Sequence, residues 1–105
     1  MSVRSKYEAE LALVFGKLTK MCRETELSIE KSVQALKTRD KKLAREVMDN
    51  DKNIDAAERD IEQDCLKILL MEHPVASDFR DISAALKMIT DLERIGDQAI
   101  DIAEM

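Results

Sequence analysis

The sequence predicts an all-α fold, an up-down-up three-helix bundle of long antiparallel helices. Three observations carry this. Apolar residues recur at steps of three, four and seven through three long stretches. Only two short segments interrupt them. The 105 residues are 45% apolar but only 3% aromatic, with two glycines and one proline, a balance that suits aliphatic helical cores rather than sheets or disorder.

The first helix spans about Val3 to Lys37, on the series Leu11, Val14, Phe15, Leu18, Met21, Cys22, Ile29, Val33, Leu36. That series predicts one buried stripe. Thr38-Arg39-Asp40 ends the helix, and Asp40 is a good N-cap for the next. The second helix carries Leu43, Val47, Ile54, Ile61, Cys65 and Ile68 and ends near Met71. His73-Pro74 stops it, because a residue before proline avoids helical ψ. Pro74 then suits the first turn of the third helix, and Asp78 favours its N-terminal dipole. The third helix has two stripes, Phe79, Ile82, Leu86, Ile89, Ile100 and Met88, Leu92, Ile95, Ala99, Ile102. So wide an apolar face suits an element touching two neighbours. Short connections make consecutive helices antiparallel. The methionines 21, 48, 71 and 88 read as fillers of the core or its edge.

Charge narrows the functions. A net charge of −5 argues against nucleic acid, which requires a basic patch. No apolar run approaches the ~20 residues of a membrane span. No secretory signal leads the chain, so the expected location is cytoplasmic. Cys22 and Cys65 are not in a Cys-x-x-Cys pair and read as free, buried, reduced thiols. The lone His73 sits at a turn and reads as a cap or surface residue. No Gly-rich phosphate loop and no Glu-x-x-His di-iron motif is present.

The chemistry concentrates in acids. Glu93, Asp97 and Asp101 recur every four residues, one ridge of the third helix. Like charges so spaced destabilise a helix by a few tenths of a kcal/mol per pair, roughly. A bound hard cation would offset that cost. On the second helix Asp51, Asp55, Glu58 and Glu62 also share a face. Counting outward from the turn, Asp51 lies level with Gly96 and Asp97, and Asp55 with Leu92 and Glu93. Two acid ridges thus meet at one height, with Cys22 and Glu26 of the first helix near that level. Gly96 offers either a close helix approach or a packing accommodation. Three readings of the acids stand at this point: metal ligands, ion pairs with Lys52, Arg59 and Arg94, or a docking face for a basic protein.

Asp91-Leu-Glu-Arg-Ile-Gly-Asp-Gln-Ala resembles the signature of the PhoU family, the phosphate-signalling regulators of bacteria. Pro74-Val-Ala-Ser-Asp-Phe-Arg80, Val47-Met-Asp-Asn-Asp-Lys-Asn-Ile-Asp55 and Tyr7-Glu-Ala-Glu-Leu11 are similar to further family segments, in the same order. The resemblance implies tandem three-helix bundles, of which residues 1–105 would be one, either the N-terminal half of a two-bundle protein, the expected case, or an unusual single-repeat member. The end at Met105, without a capping residue, fits that expectation. It implies metal ions (iron, manganese or zinc) held at Asp51, Asp55, Glu93 and Asp97. Asp101 stands where the family often has Asn. It implies repression of the phosphate-starvation response, with a phosphate transporter ATPase and a sensor histidine kinase as partners. A single bundle would expose apolar surface, so self-association as a homodimer is expected.

The expected function is therefore a regulatory metal-binding adaptor without catalytic turnover. The alternative is a structural or interaction bundle whose acidic face docks a protein without metal. A metal-dependent phosphoesterase is disfavoured, because Arg80 and Arg94 alone make no phosphate-binding cluster.

Overall fold

The computed structural model describes residues 3–70 and 76–105, with side chains from Lys6 to Leu70 and from Phe79 to Met105. Three helices follow in order: α1 (Val3–Thr38), α2 (Lys41–Leu69) and α3 (Ala76–Glu104). Each packs on both others, as the bundle prediction requires. Lys17 of α1 reaches Asp60 and Asp64 of α2, whereas Lys31, further along α1, reaches Glu46. Rising numbers on one helix against falling numbers on the other show that α1 and α2 are antiparallel. The bundle is 54 Å long, matching the length of the 36-residue α1 at about 1.5 Å per residue.

The first turn is built by two residues. Arg39 has φ 55°, the left-handed conformation that reverses a chain after a helix. The Asp40 amide then donates to Ala35 O at 3.0 Å, the six-to-one bond of a Schellman motif. The Asp40 carboxylate accepts from the Leu43 amide at 3.1 Å and caps α2, as predicted. Arginine is a strained choice at that φ, because its Cβ crowds the following carbonyl. Arg39→Gly is expected to stabilise the fold by about 0.5–1 kcal/mol after glycine's extra freedom in the unfolded chain is subtracted. Thermal unfolding followed by circular dichroism reads this as a rise of a few degrees. An unchanged or lower melting temperature would show that the Arg39 side chain contributes more than its backbone strain costs. The predicted stop at His73-Pro74, the end of the second helix near Met71 and the side chain of Asp78 lie outside the described residues.

The core is aliphatic. On α2, Val47, Ile54, Ile61, Cys65 and Ile68 are all buried, the stripe the spacing predicts. Ile82, Ala85, Ile89 and Ala99 of α3 meet them, with Tyr7, Val14, Leu18 and Met21 of α1. The C-terminal half of α1 departs from expectation. Thr25, Ser28, Ser32 and Ala35 are buried there, whereas Val33 and Leu36 are exposed and Ile29 is half-buried. Phe15, also assigned to the stripe, is 41% exposed. The physical reason is local. Thr25 Oγ1 donates to Met21 O at 2.8 Å and Ser32 Oγ to Ile29 O at 2.8 Å. Hydroxyls satisfied by their own helix backbone lose little on burial, and small residues fit where helices crowd. Met21 is a core filler as expected, but Met88 is 43% exposed, and Met71 lies outside the described residues.

Candidate functional site

The two acid ridges meet on the α2/α3 side of the bundle. Heptad burial of Val47, Ile54 and Ile61 sets the rotation of α2, which leaves Asp51, Asp55 and Glu58 along its border with α3. Burial of Ile82, Ile89 and Gly96 does the same for α3 and places Glu93 and Asp97 on the facing border. The predicted register holds: a methyl group at Gly96 would lie 3.7 Å from Asp51 Oδ1 and 3.7 Å from Ile54 Cγ2. Those are ordinary contacts, so Gly96 is a packing accommodation and not a point of forced approach.

Electrostatics ties the acids together. The Asp51 carboxyl lies above its usual range, first because burial disfavours its charge, then because Asp55, Asp97 and Glu93 are close; it also shares a hydrogen bond with Asp55. Burial, followed by Glu93, Asp55 and Asp101, raises Asp97. Glu58 is pushed up to about 7, by burial first and then by a hydrogen bond to Glu93 and the charges of Glu93, Asp55 and Glu62. Carboxyls that share a hydrogen bond must share a proton. Glu58 Oε2 is buried without a hydrogen-bond partner.

Of the predicted residues, Asp51, Asp55, Glu93 and Asp97 come together. Asp101 is exposed and acts on the group through Asp97. Glu58 belongs to the group although the acid motifs alone did not select it; its place seven residues after Asp51 was the available signal. Lys52, Arg59 and Arg94 do not neutralise the site. Among the described residues, the ion pairs join Lys17 to Asp60 and Asp64, Lys20 to Glu24, Lys31 to Glu46, and Lys87 to Asp91. None touches the acids of the ridge. Among the described residues, too, no three His, Cys, Asp or Glu side chains stand as a ready metal-binding group. Cys22 and Cys65 are both free, but only Cys65 is buried as expected, Cys22 being half-buried; burial holds the Cys65 thiol up, in its unreactive form.

The raised carboxyls set a pH dependence. Between the ordinary glutamate value and about 7, folded Glu58 holds a proton that the unfolded chain has released. Unfolding then releases protons, so stability falls as pH rises through that window. Metal-free protein is expected to melt higher at pH 5 than at pH 8, as regards this group. Glu58→Gln is expected to flatten that dependence and raise the melting temperature at pH 8. Chelator-treated protein in a pH series of thermal melts checks this; an equally steep profile in the variant would assign the dependence elsewhere.

A three-helix bundle with an acidic face along one helical hairpin is the class of protein that fold and site define. The family model of the PhoU domain matches residues 18–105, and the chain belongs to that family. It is 37% identical over 99 residues to a phosphate-specific transport system accessory protein PhoU homolog from a Burkholderia species, covering 94% of this chain and 42% of that relative. The Aquifex aeolicus homolog is 39% identical over 95 residues, 90% of this chain and 43% of its own length. The Thermotoga maritima homolog 1 is 36% identical over 98 residues, covering 93% and 42%. The chain thus spans less than half the length of these relatives. No helix among the described residues is long and apolar enough to cross a membrane.

Proposed function

We propose that this chain is a regulatory, non-catalytic accessory of a phosphate transport system that binds metal through its α2/α3 acidic face. The relatives named as phosphate-specific transport system accessory proteins support the transport association. One observation carries the metal reading: acids of two helices crowd one border and raise one another's carboxyls, and among the described residues no ion pair reaches them. The donors fit a hard cation. They are all oxygen, and Glu58 Oε2 is a buried acceptor awaiting a donor or an ion. Asp51, Asp55, Glu58, Glu93 and Asp97 would hold it, with Asp101 at the margin. Rotation of these side chains would complete the ligand set. An oxygen set favours iron or manganese over zinc, whose structural sites draw on Cys and His.

In this reading the bound ion converts a self-repelling border into a fixed, less negative surface. That surface is what a transporter ATPase and a sensor histidine kinase would contact on the cytoplasmic side, and the chain acts as their adaptor. The test is binding of both proteins with and without chelator. Binding that needs metal supports the adaptor reading. Binding that survives chelation supports the second reading, a metal-free acidic docking face, which the lack of a ready three-ligand group among the described residues favours.

A further inference from the structure

We propose that the groove at the α1–α2 turn binds a small single-chain amphipathic anion, a medium-chain carboxylate or an alkyl phosphate. The groove lies between the C-terminal ends of α1 and α3 and is bordered by the turn and the start of α2. Ala35, Leu36, Ala44, Ile102 and Ala103 line it with aliphatic surface, and the exposed Arg39 and Lys41 stand at its rim. Its volume is about 310 Å³, which is room for about ten non-hydrogen atoms at the roughly 30 Å³ that a water-sized group takes. Small-molecule pockets begin near that size.

Charge selects the head of the ligand. The chain carries −5 overall, yet residues 37–42, Lys-Thr-Arg-Asp-Lys-Lys, hold four cations and one acid. That acid, Asp40, is engaged by the Leu43 amide at 3.1 Å. Among the described residues, no ion pair reaches Arg39 or Lys41. Two unpaired cations beside an apolar groove complement an anionic head, and a guanidinium matches carboxylate and phosphate oxygens in pairs. The lining selects the body. No aromatic ring, side-chain amide or hydroxyl lines the groove, so nothing in it would stack on a nucleobase or read a sugar. An aliphatic wall accommodates an alkyl chain.

The backbone supplies an independent observation. Arg39 holds φ 55°, a conformation in which glycine is the usual residue after a helix. Strain of this kind marks ligand clamps and other functional positions, where a side chain is needed for something besides the fold. Here the strained residue presents a guanidinium without an ion-pair partner at the rim of the groove. The groove shares no residue with the acidic α2/α3 border, so its occupancy does not depend on bound metal.

The experiment is an NMR titration of the 105-residue chain, in chelator, with octanoate and octyl phosphate below their micelle concentrations. Acetate is the head-only control and octanamide the uncharged one. The expected result is saturable shifts of the Ala44, Ile102 and Ala103 amides, at concentrations about tenfold or more below those either control needs. Arg39→Gly keeps the left-handed turn and removes the guanidinium; it is expected to weaken binding by about tenfold or more. Ala44→Leu fills the groove and is expected to abolish binding. Arg23→Gln, exposed on α1 and outside the groove, is expected to leave it unchanged. Circular dichroism verifies that each variant stays helical. Octanamide that binds as tightly as octanoate would overturn the proposal, as would an Arg39→Gly variant that binds like the parent. Shifts centred on the exposed Phe15 and Met88 would also overturn it, and so would binding to phosphatidylglycerol vesicles but to neither free anion. The chelator separates these outcomes from any failure of the metal reading.

Discussion

Ile61→Ala is expected to lower the unfolding free energy by about 2–5 kcal/mol, the range for deleting a buried aliphatic side chain and leaving a cavity. Ile61 has no exposed surface and sits mid-stripe on α2, among Ile54, Cys65 and Ile68. For a domain of about 100 residues each kcal/mol moves the melting temperature by about 4–8 °C, so a fall of about 10 °C or more is expected. Val33→Ala on α1 provides the contrast. Val33 is 36% exposed, and its truncation is expected to cost less than about 1 kcal/mol. Thermal unfolding of the two variants, side by side, is the check. Equal losses at the two positions would contradict the assignment of Val33 outside the core.

Glu93→Gln with Asp97→Asn is expected to act in opposite directions without and with metal. Both substitutions remove a charge from a crowded acid border. Without metal the variant should be more stable, by a few tenths of a kcal/mol for each relieved like-charge pair, roughly. With metal the order reverses. A ligand at 100 times its dissociation constant stabilises a folded protein by about 2.7 kcal/mol, hence about 10–20 °C for a domain of this size. The parent should show that rise with iron or manganese, and the variant should show none. A variant that gains as much from metal as the parent would place the ion away from α3.

Much of this was legible in the sequence, for identifiable reasons. Val47, Ile54, Ile61 and Ile68 lie seven apart, so one face of α2 and its rotation were readable from spacing. The short α2–α3 connection made the level of Asp51 with Gly96 a matter of counting, and the structure holds that register. Asp40 read as a cap because its carboxylate reaches an amide three residues on. The α1 stripe was less legible. Val33 and Leu36 outrank Thr25 and Ser32 on any hydropathy scale, yet the hydroxyls go inside because they bond their own helix. Spacing could put Glu58 on the right face, but its hydrogen bond to Glu93 depends on how two long side chains meet across helices. The left-handed Arg39 was hidden too, since that conformation usually announces itself with glycine.

The most direct measurement is metal content per chain, by elemental mass spectrometry, after purification without chelator and again after incubation with iron or manganese. It should be run on the parent and on Asp51→Asn with Glu93→Gln, which removes one charge from each ridge. The metal-binding account predicts iron or manganese in the parent and its loss in a variant that stays helical. A parent that takes up neither ion, or a variant that holds as much metal as the parent, would contradict it.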